Sequence, residues 1–194
     1  MIVTAKLLNA ICLHFRSRKF KERNNRQLSN IQSLVNPLNH WFRVYEINTP
    51  LRVAHFLAQA CCETFYFSDM PEIPSNGERE YDFGTRIGAA LGNTHPGDGP
   101  KYIGRGLLHL TGRYNYRTAG KKIGVDLESQ PQLVASDFDI AVRTACLFWK
   151  TNGLNGFADS DAFLNITHKV NGYENGIKER RAALIRAKRF LNIK

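Results

Sequence analysis

Nowhere does the chain offer the roughly 18 to 20 consecutive apolar residues that a membrane-spanning helix needs, which excludes a helical span. Its four cysteines, at positions 12, 61, 62 and 146, form neither a CxxC pair nor a regular series. That pattern excludes a zinc ligand set and a disulfide framework, and it leaves free, mostly buried thiols. Cys61 and Cys62 diverge on a helix, which argues against a bond between them. Internal repeats and low-complexity linkers are missing, so no appended binding module is expected. Acidic residues are in short supply: 17 Asp and Glu stand against 27 Lys and Arg, for a formal charge of +10. Such a balance implies an anionic partner, whether nucleic acid, anionic lipid or a polymer carrying carboxylates. The glycine-dense stretch from Gly84 to Gly106 lacks the GxxxxGK[ST] pattern and a leading strand, which excludes a phosphate-binding loop. Within it Pro96-Gly97-Asp98-Gly99 reads as a tight turn, with Asp98 a turn residue rather than a metal ligand. No recognised nucleic-acid motif is present, and neither a cofactor nor a metal is expected.

What is there suits one compact, mainly helical domain over residues 1–194, divided into two lobes around a substrate cleft, with little or no β-structure. The 43% hydrophobic content is enough for a core. Residues 3–15 read as a short helix burying Val3, Leu7, Leu8, Ile11 and Phe15. A basic run follows, with Arg16, Arg18, Lys19, Lys21, Arg23 and Arg26 around Glu22, and Asn24-Asn25 suggests a loop. Ser29 is placed to cap a helix through Ile31, Leu34, Val35 and Leu38, which Pro37 should split. Thr49-Pro50 opens the next helix. Asp137 caps a helix with Phe138, Ala141, Val142, Ala145, Phe148 and Trp149, stopped by Gly153, and Trp149 reads as core. Ser160 or Asp161 opens another helix that ends at Asn171-Gly172. In the last segment Ile177, Leu184, Ile185 and Leu191 share one side, while Lys178, Arg181, Arg186, Lys188 and Arg189 occupy most of the rest.

The stretch from His55 to Tyr116 carries the chemistry. On a helix His55, Gln59, Cys62, Glu63 and Tyr66 fall on one stripe. Glu72 follows Glu63 by nine residues, about 13.5 Å and two and a half turns on an unbroken helix, so the two would face opposite ways. Ser68, Asp69 and Pro71 break the helix between them and let the chain fold back. Two carboxylates about 6.5 to 9.5 Å apart serve an inverting glycosidase, one protonating the leaving oxygen and the other activating water. Glu78 and Glu80 are rival carboxylates, ranked below Glu72. Arg105 either pairs with a catalytic carboxylate or ties the lobes together, and a positive neighbour suits a base that must stay ionised.

The run HFLAQxxxET followed by LGNTxPGDGxxYxGRGLxxLTGRxNY resembles glycoside hydrolase family 19, which holds plant chitinases and many phage endolysins. The short glutamate spacing is similar to the endolysin branch. The resemblance covers residues 51–181, the expected catalytic core, and residues 1–45 form a helical part without a recognised motif. It implies a lysozyme-like fold, Glu63 as general acid, Glu72 as general base and Thr111 as the hydroxyl that helps hold the attacking water. It also implies sugar contacts at Tyr114, Asn115 and Asn171. Gln59, Tyr66, Tyr102 and His109 are expected to line the same substrate site. Cys62 stands where the family usually has histidine, and His109 where it usually has glutamine.

The function expected from these features is a muramidase that cuts the β-1,4 glycan of peptidoglycan with inversion. A family 19 endochitinase is the alternative, and a basic nucleic-acid or envelope-binding protein a distant third. A monomer is expected, with basic termini free to meet an anionic wall or outer membrane and no nucleic acid as partner. The amino terminus reads as an ordinary helix rather than a signal peptide. Synthesis in a host cytoplasm followed by holin-dependent release to the wall is the corresponding expectation.

Overall fold

The computed structural model describes residues 2–15, 17–72 and 79–193. Arg16 and Glu78 lie outside the described residues, as does most of the loop expected between Ile73 and Glu80. Among the described residues the chain is mainly helical: α1 (Ala5–Ile11), α2 (Lys21–Val44), α3 (Pro50–Glu63), α4 (Arg86–Ala90), α5 (Asp98–Lys101), α6 (Arg113–Ile123), α7 (Leu133–Ser136), α8 (Phe138–Thr151), α9 (Leu154–Asp159), α10 (Phe163–Asn171) and α11 (Ile177–Phe190). Two short 3-10 turns, Arg18–Phe20 and Arg79–Tyr81, precede α2 and α4. The extended structure reduces to two isolated bridges, Pro71 with Arg105 and Arg105 with Leu110. The chain forms two compact units, one of Met1–Asp69 with Cys146–Lys194 and the other of Met70–Ala145.

The first unit is built on α3. Thr49 caps it by accepting from the Arg52 amide at 3.2 Å, and Pro50 starts it where its missing N–H costs nothing. Every residue from Val53 to Cys61 is buried. A helix covered on all sides needs partners on all sides, and α1, α9, α10 and α11 supply them. The polar stripe is therefore not a solvated face: His55 and Gln59 are fully buried within it. Phe56 meets Phe42 of α2 at 4.8 Å and Trp149 of α8 at 5.2 Å. Fully burying such rings contributes about 2 to 3 kcal/mol each.

Several local expectations give way to packing. Pro37 does not split α2, which runs unbroken through it. A proline removes one ladder bond, but Ile31, Leu34, Leu38 and Phe42 keep one buried stripe on either side of it. Asn24, Asn25 and Ser29 accordingly lie inside the helix rather than in a loop or at its cap. Helix α1 ends at Ile11, so Phe15 belongs to the connection. A further helix, α9, lies between α8 and α10, with Gly153 at φ +66° as its N-cap, and α10 begins at Phe163, after Asp161. In α11 Ile185 is exposed, whereas Arg180, Ala183, Leu184 and Ala187 are buried. Asp137 behaves as expected, accepting from the amides of Asp139 and Ile140 at 2.8 and 3.2 Å, and Trp149 is core.

In the second unit Asp98 is a buried structural anchor. Arg113 clamps it through Nε and Nη2 at 2.9 and 2.7 Å, and the amides of Thr94 and His95 donate to it. Burial pushes this carboxyl up, but the Arg113 and backbone hydrogen bonds outweigh burial and hold it below its ordinary range. Tyr102 lies against Tyr116 at 5.5 Å and donates to the Glu128 carbonyl at 2.9 Å. Arg105 and Leu110 exchange two backbone bonds, 3.2 and 2.9 Å, and this small hairpin carries Gly104 and Thr111 at its ends.

Candidate active site

Glu63 is the last residue of α3 and belongs to the first unit. Its Oε1 accepts from Arg180 Nη2 at 2.5 Å, with both side chains nearly buried. Arg180 Nη1 donates to Gln59 Oε1 at 2.6 Å, Gln59 Nε2 donates to Thr167 Oγ1 at 3.0 Å, and Arg180 Nε donates to the Asn175 carbonyl at 3.0 Å. One guanidinium thus joins α3 to the start of α11 through bonds on its three nitrogens, a use that its rigid planar fork suits. The pairing considered for Arg105 is made instead by Arg180, and its partner is Glu63 rather than Glu72. Arg105 spends Nη1 on the Tyr116 hydroxyl and on the carbonyls of Lys101 and Ile103.

Arg180 was missed in the sequence because it sits in a basic run, Lys178 to Arg181. A signal existed: with Ile177, Leu184 and Leu191 it follows the helical period of the buried side, and a cation on an apolar stripe requires a buried partner.

Beyond Glu63 the chain takes a rare path. Phe65, Tyr66 and Phe67 have φ of +46°, +65° and +63°, each a left-handed residue that costs about 1 to 2 kcal/mol. Hydrogen bonds over-determine the turn. Thr64 Oγ1 accepts from the Phe67 amide at 3.1 Å, Gln27 of α2 donates to the Tyr66 carbonyl at 2.8 Å, and Asn30 donates to the Phe67 carbonyl at 2.9 Å. Cys62 turns toward Gly176, where a Cβ would sit 2.8 Å from its sulfur. Burial pushes its thiol up to about 11, so it stays protonated and neutral.

Glu72 belongs to the second unit. Its amide donates to the Gly104 carbonyl at 2.8 Å, its Oε2 accepts from the Gly104 amide at 3.1 Å, and its Oε1 accepts from the Tyr81 hydroxyl at 3.0 Å. Burial and then the adjacent Glu72 carboxylate push the Tyr81 phenol upward, which keeps it a donor. Asn93 steadies this tyrosine, donating to the Tyr81 carbonyl at 2.6 Å while accepting from the Arg113 amide at 2.8 Å. A Cβ on Gly104 would lie 2.7 Å from Glu72 Oε2 and 3.0 Å from Thr111 Oγ1. The carboxylate and the threonine hydroxyl thus crowd one backbone position. Thr111 donates to the His109 carbonyl at 2.9 Å, and its oxygen lone pairs remain able to accept from a water. Tyr81 carried no sequence signal, since no local pattern pairs a tyrosine with a glutamate nine residues before it.

The remaining expected contacts divide by burial. Tyr114 and Asn115 are exposed at the start of α6, and Asn115 donates to the Thr111 carbonyl at 2.8 Å. Tyr66, His109 and Asn171 are half-buried. Tyr102 is fully buried, so the sugar contact expected of it is corrected to a core role. Gln59 is also sealed off, and it orients Arg180 rather than meeting a ligand. Glu80 is exposed in the Arg79–Tyr81 turn. Among the described residues no group of three His, Cys, Asp or Glu side chains is arranged to hold a metal.

Comparison with known proteins identifies the family and the fold. The family model described as chitinase class I, glycoside hydrolase family 19, matches residues 49–175. A glycosyl hydrolase family 19 domain-containing protein of Haemophilus influenzae is 42% identical over 89 residues, which cover 46% of this chain and 42% of that protein. Chitinase 11 of Oryza sativa subsp. japonica is 52% identical over 52 residues, or 27% of this chain and 20% of its own length. The chain therefore spans less than half of each of these relatives. Chitinase C of Streptomyces griseus superposes with a TM-score of 0.70 at 19% identity, over 98% of this chain and 92% of that structure, which shows a common fold. On the match over residues 49–175, this chain belongs to glycoside hydrolase family 19.

Proposed function

We propose that the chain is an inverting β-1,4-glycosidase with Glu63 as general acid and Glu72 as general base, acting as a muramidase of the endolysin type on peptidoglycan. The observation that carries the reading is that each glutamate has its own mount: Arg180 for Glu63, and Tyr81 with Gly104 for Glu72. In this scheme Arg180 occupies Glu63 Oε1, and Oε2 delivers its proton to the glycosidic oxygen as the bond to C1 breaks. The carboxylate left behind is stabilised by the guanidinium. Glu72 takes a proton from water as the water oxygen attacks C1 from the opposite face, and Thr111 accepts a hydrogen bond from that water. Holding water and carboxylate in register is worth several orders of magnitude in rate.

A second reading, an endochitinase, has the support of the rice and Streptomyces relatives, which are named chitinases. It uses the same residues and differs only in the sugar. The formal charge of +10 favours peptidoglycan, whose peptide carboxylates chitin lacks. The test is to incubate purified peptidoglycan and chitin oligomers separately with the native chain, Glu63→Gln and Glu72→Gln, and to identify new reducing ends by mass spectrometry. New N-acetylmuramic acid ends that both variants abolish support the muramidase. Cleavage of chitin oligomers alone transfers the reading to the chitinase, and near-native activity in either variant removes the acid–base assignment.

A further inference from the structure

Outside the matched region, the segment between α1 and the first turns of α2 builds a surface that the catalytic reading does not use. The Phe15 ring stacks on Phe65 at 5.4 Å and 24°, and it also meets Phe20 at 6.2 Å and Tyr66 at 6.4 Å. The Arg23 guanidinium lies over both Phe65 and Phe15, at 4.9 and 5.6 Å, and Lys19 lies over Phe20. Phe20 and Phe65, joined through Phe15, are 40% and 46% exposed, and Leu13, two residues before Phe15 in the chain, is 53% exposed. Arg18, Lys19, Lys21 and Arg26 are exposed around these side chains. The opposing charges are Glu22 and Asp69, and Asp69 accepts from Arg26 at 3.1 Å and pairs with Arg23 at 3.3 Å. Cations remain in excess.

The basic carboxy-terminal helix differs. There Arg186 donates to the Ile11 carbonyl, Lys188 pairs with Asp161, and Arg181 covers the Phe163 ring. Much of that charge is spent inside the fold.

We propose that the face formed by Leu13, Phe20 and Phe65 with Arg18, Lys19 and Lys21 binds anionic lipid surfaces. The cations meet headgroup phosphates, and Leu13 and the ring edges enter the interface, as in amphipathic membrane-surface segments. A glycan fits less well, because sugar stacking needs an open ring face and here Phe15, Phe65 and Arg23 cover one another. The strained left-handed turn that holds Phe65 outward fits a functional surface better than a core position.

The test is sedimentation of the full chain with vesicles of phosphatidylglycerol and phosphatidylcholine in equal parts, and with phosphatidylcholine alone. The expected result is binding to the first and not the second, weakened at least fivefold by 0.5 M salt. Phe20→Ser and the pair Lys19→Gln with Lys21→Gln should each lower the bound fraction at least fivefold. Circular dichroism and oligomer hydrolysis should stay unchanged in both variants. No sedimentation with the anionic vesicles overturns the proposal, whether or not the chain is retained on peptidoglycan or DNA. Binding that both variants leave within twofold of native also overturns it.

Discussion

Arg180 reaches Glu63 at 2.5 Å and Gln59 at 2.6 Å with the same guanidinium. Removing it takes the guanidinium from a nearly buried carboxylate and from the buried Gln59 Oε1, and breaking such a buried ion pair costs about 3 to 5 kcal/mol. Arg180→Ala is therefore expected to lower the urea unfolding midpoint clearly and to cut oligomer hydrolysis about a hundredfold. Arg180→Lys should recover stability better than activity, because a single ammonium cannot hold both partners in register. Equal activity in the native chain and Arg180→Lys would show that the fork is not used in catalysis.

Gly104 has no room for a side chain. Its Cβ would meet Glu72 Oε2 at 2.7 Å and His109 Cβ at 3.0 Å; the carboxylate, at the end of a flexible side chain, is the group that yields. Gly104→Ala should displace the carboxylate and lower kcat about 10- to 100-fold, with a loss of stability of about 1 to 3 kcal/mol from overpacking. Steady-state kinetics beside a thermal melt separates the two effects. An unchanged kcat would mean that Glu72 tolerates the shift and is not the base.

Tyr81→Phe deletes one donor to Glu72 and little else, since Asn93 holds the Tyr81 backbone carbonyl rather than its hydroxyl. A hydrogen bond to a charged group is worth about 1.5 to 3 kcal/mol, so kcat should fall about 10- to 100-fold if the bond persists through the reaction. KM for soluble oligomers should change little. A rise in KM at constant kcat would make Tyr81 a substrate contact instead.

How far the sequence reaches is visible in these three residues. Short-range chemistry was legible: Thr49-Pro50 starts α3, Asp137 caps α8, and the ordered motifs identify the family. Pro37 misled because a local rule took no account of the buried stripe that holds α2 together across it. Of the polar stripe expected from His55 to Tyr66, the part up to Glu63 lies on α3, while Tyr66 falls in the left-handed turn beyond it; that Arg180 rather than water satisfies Glu63 depends on α11, more than a hundred residues away. The hydrogen bond from Tyr81 to Glu72 follows from no periodicity of the sequence.

Gln27 shows the same dependence on distant partners. It is fully buried, donates to the carbonyls of Leu13 and Tyr66 at 2.9 and 2.8 Å, and bonds through Oε1 to His14 Nδ1 at 3.0 Å. Gln27→Leu strands two carbonyls and should cost about 1 to 3 kcal/mol. The left-handed turn after Glu63 should loosen with it, so amide exchange at Tyr66 to Ser68 should speed up more than exchange in α8. Uniform acceleration across the first unit would mean that Gln27 supports global stability only.

His55 makes stability depend on pH in a direction that can be worked out. Its Nε2 bonds to Asp161 Oδ1 at 2.7 Å, and Lys188 pairs with the other oxygen of Asp161. Burial pulls the imidazole below its ordinary range and outweighs the opposing pull of Asp161. The folded state therefore keeps His55 neutral at pH values where the unfolded chain already protonates it, near pH 6.5 and below. Between the depressed folded pKa and about 6.5 the unfolded state binds more protons, so stability rises with pH across that window. It is fully present above about 6.5 and is lost as pH falls toward the folded pKa. His55→Gln keeps a donor for Asp161 but cannot titrate. Urea midpoints measured from about pH 7.5 down to about pH 5 should fall in the native chain and stay flatter in His55→Gln, and parallel slopes would assign the loss to other groups.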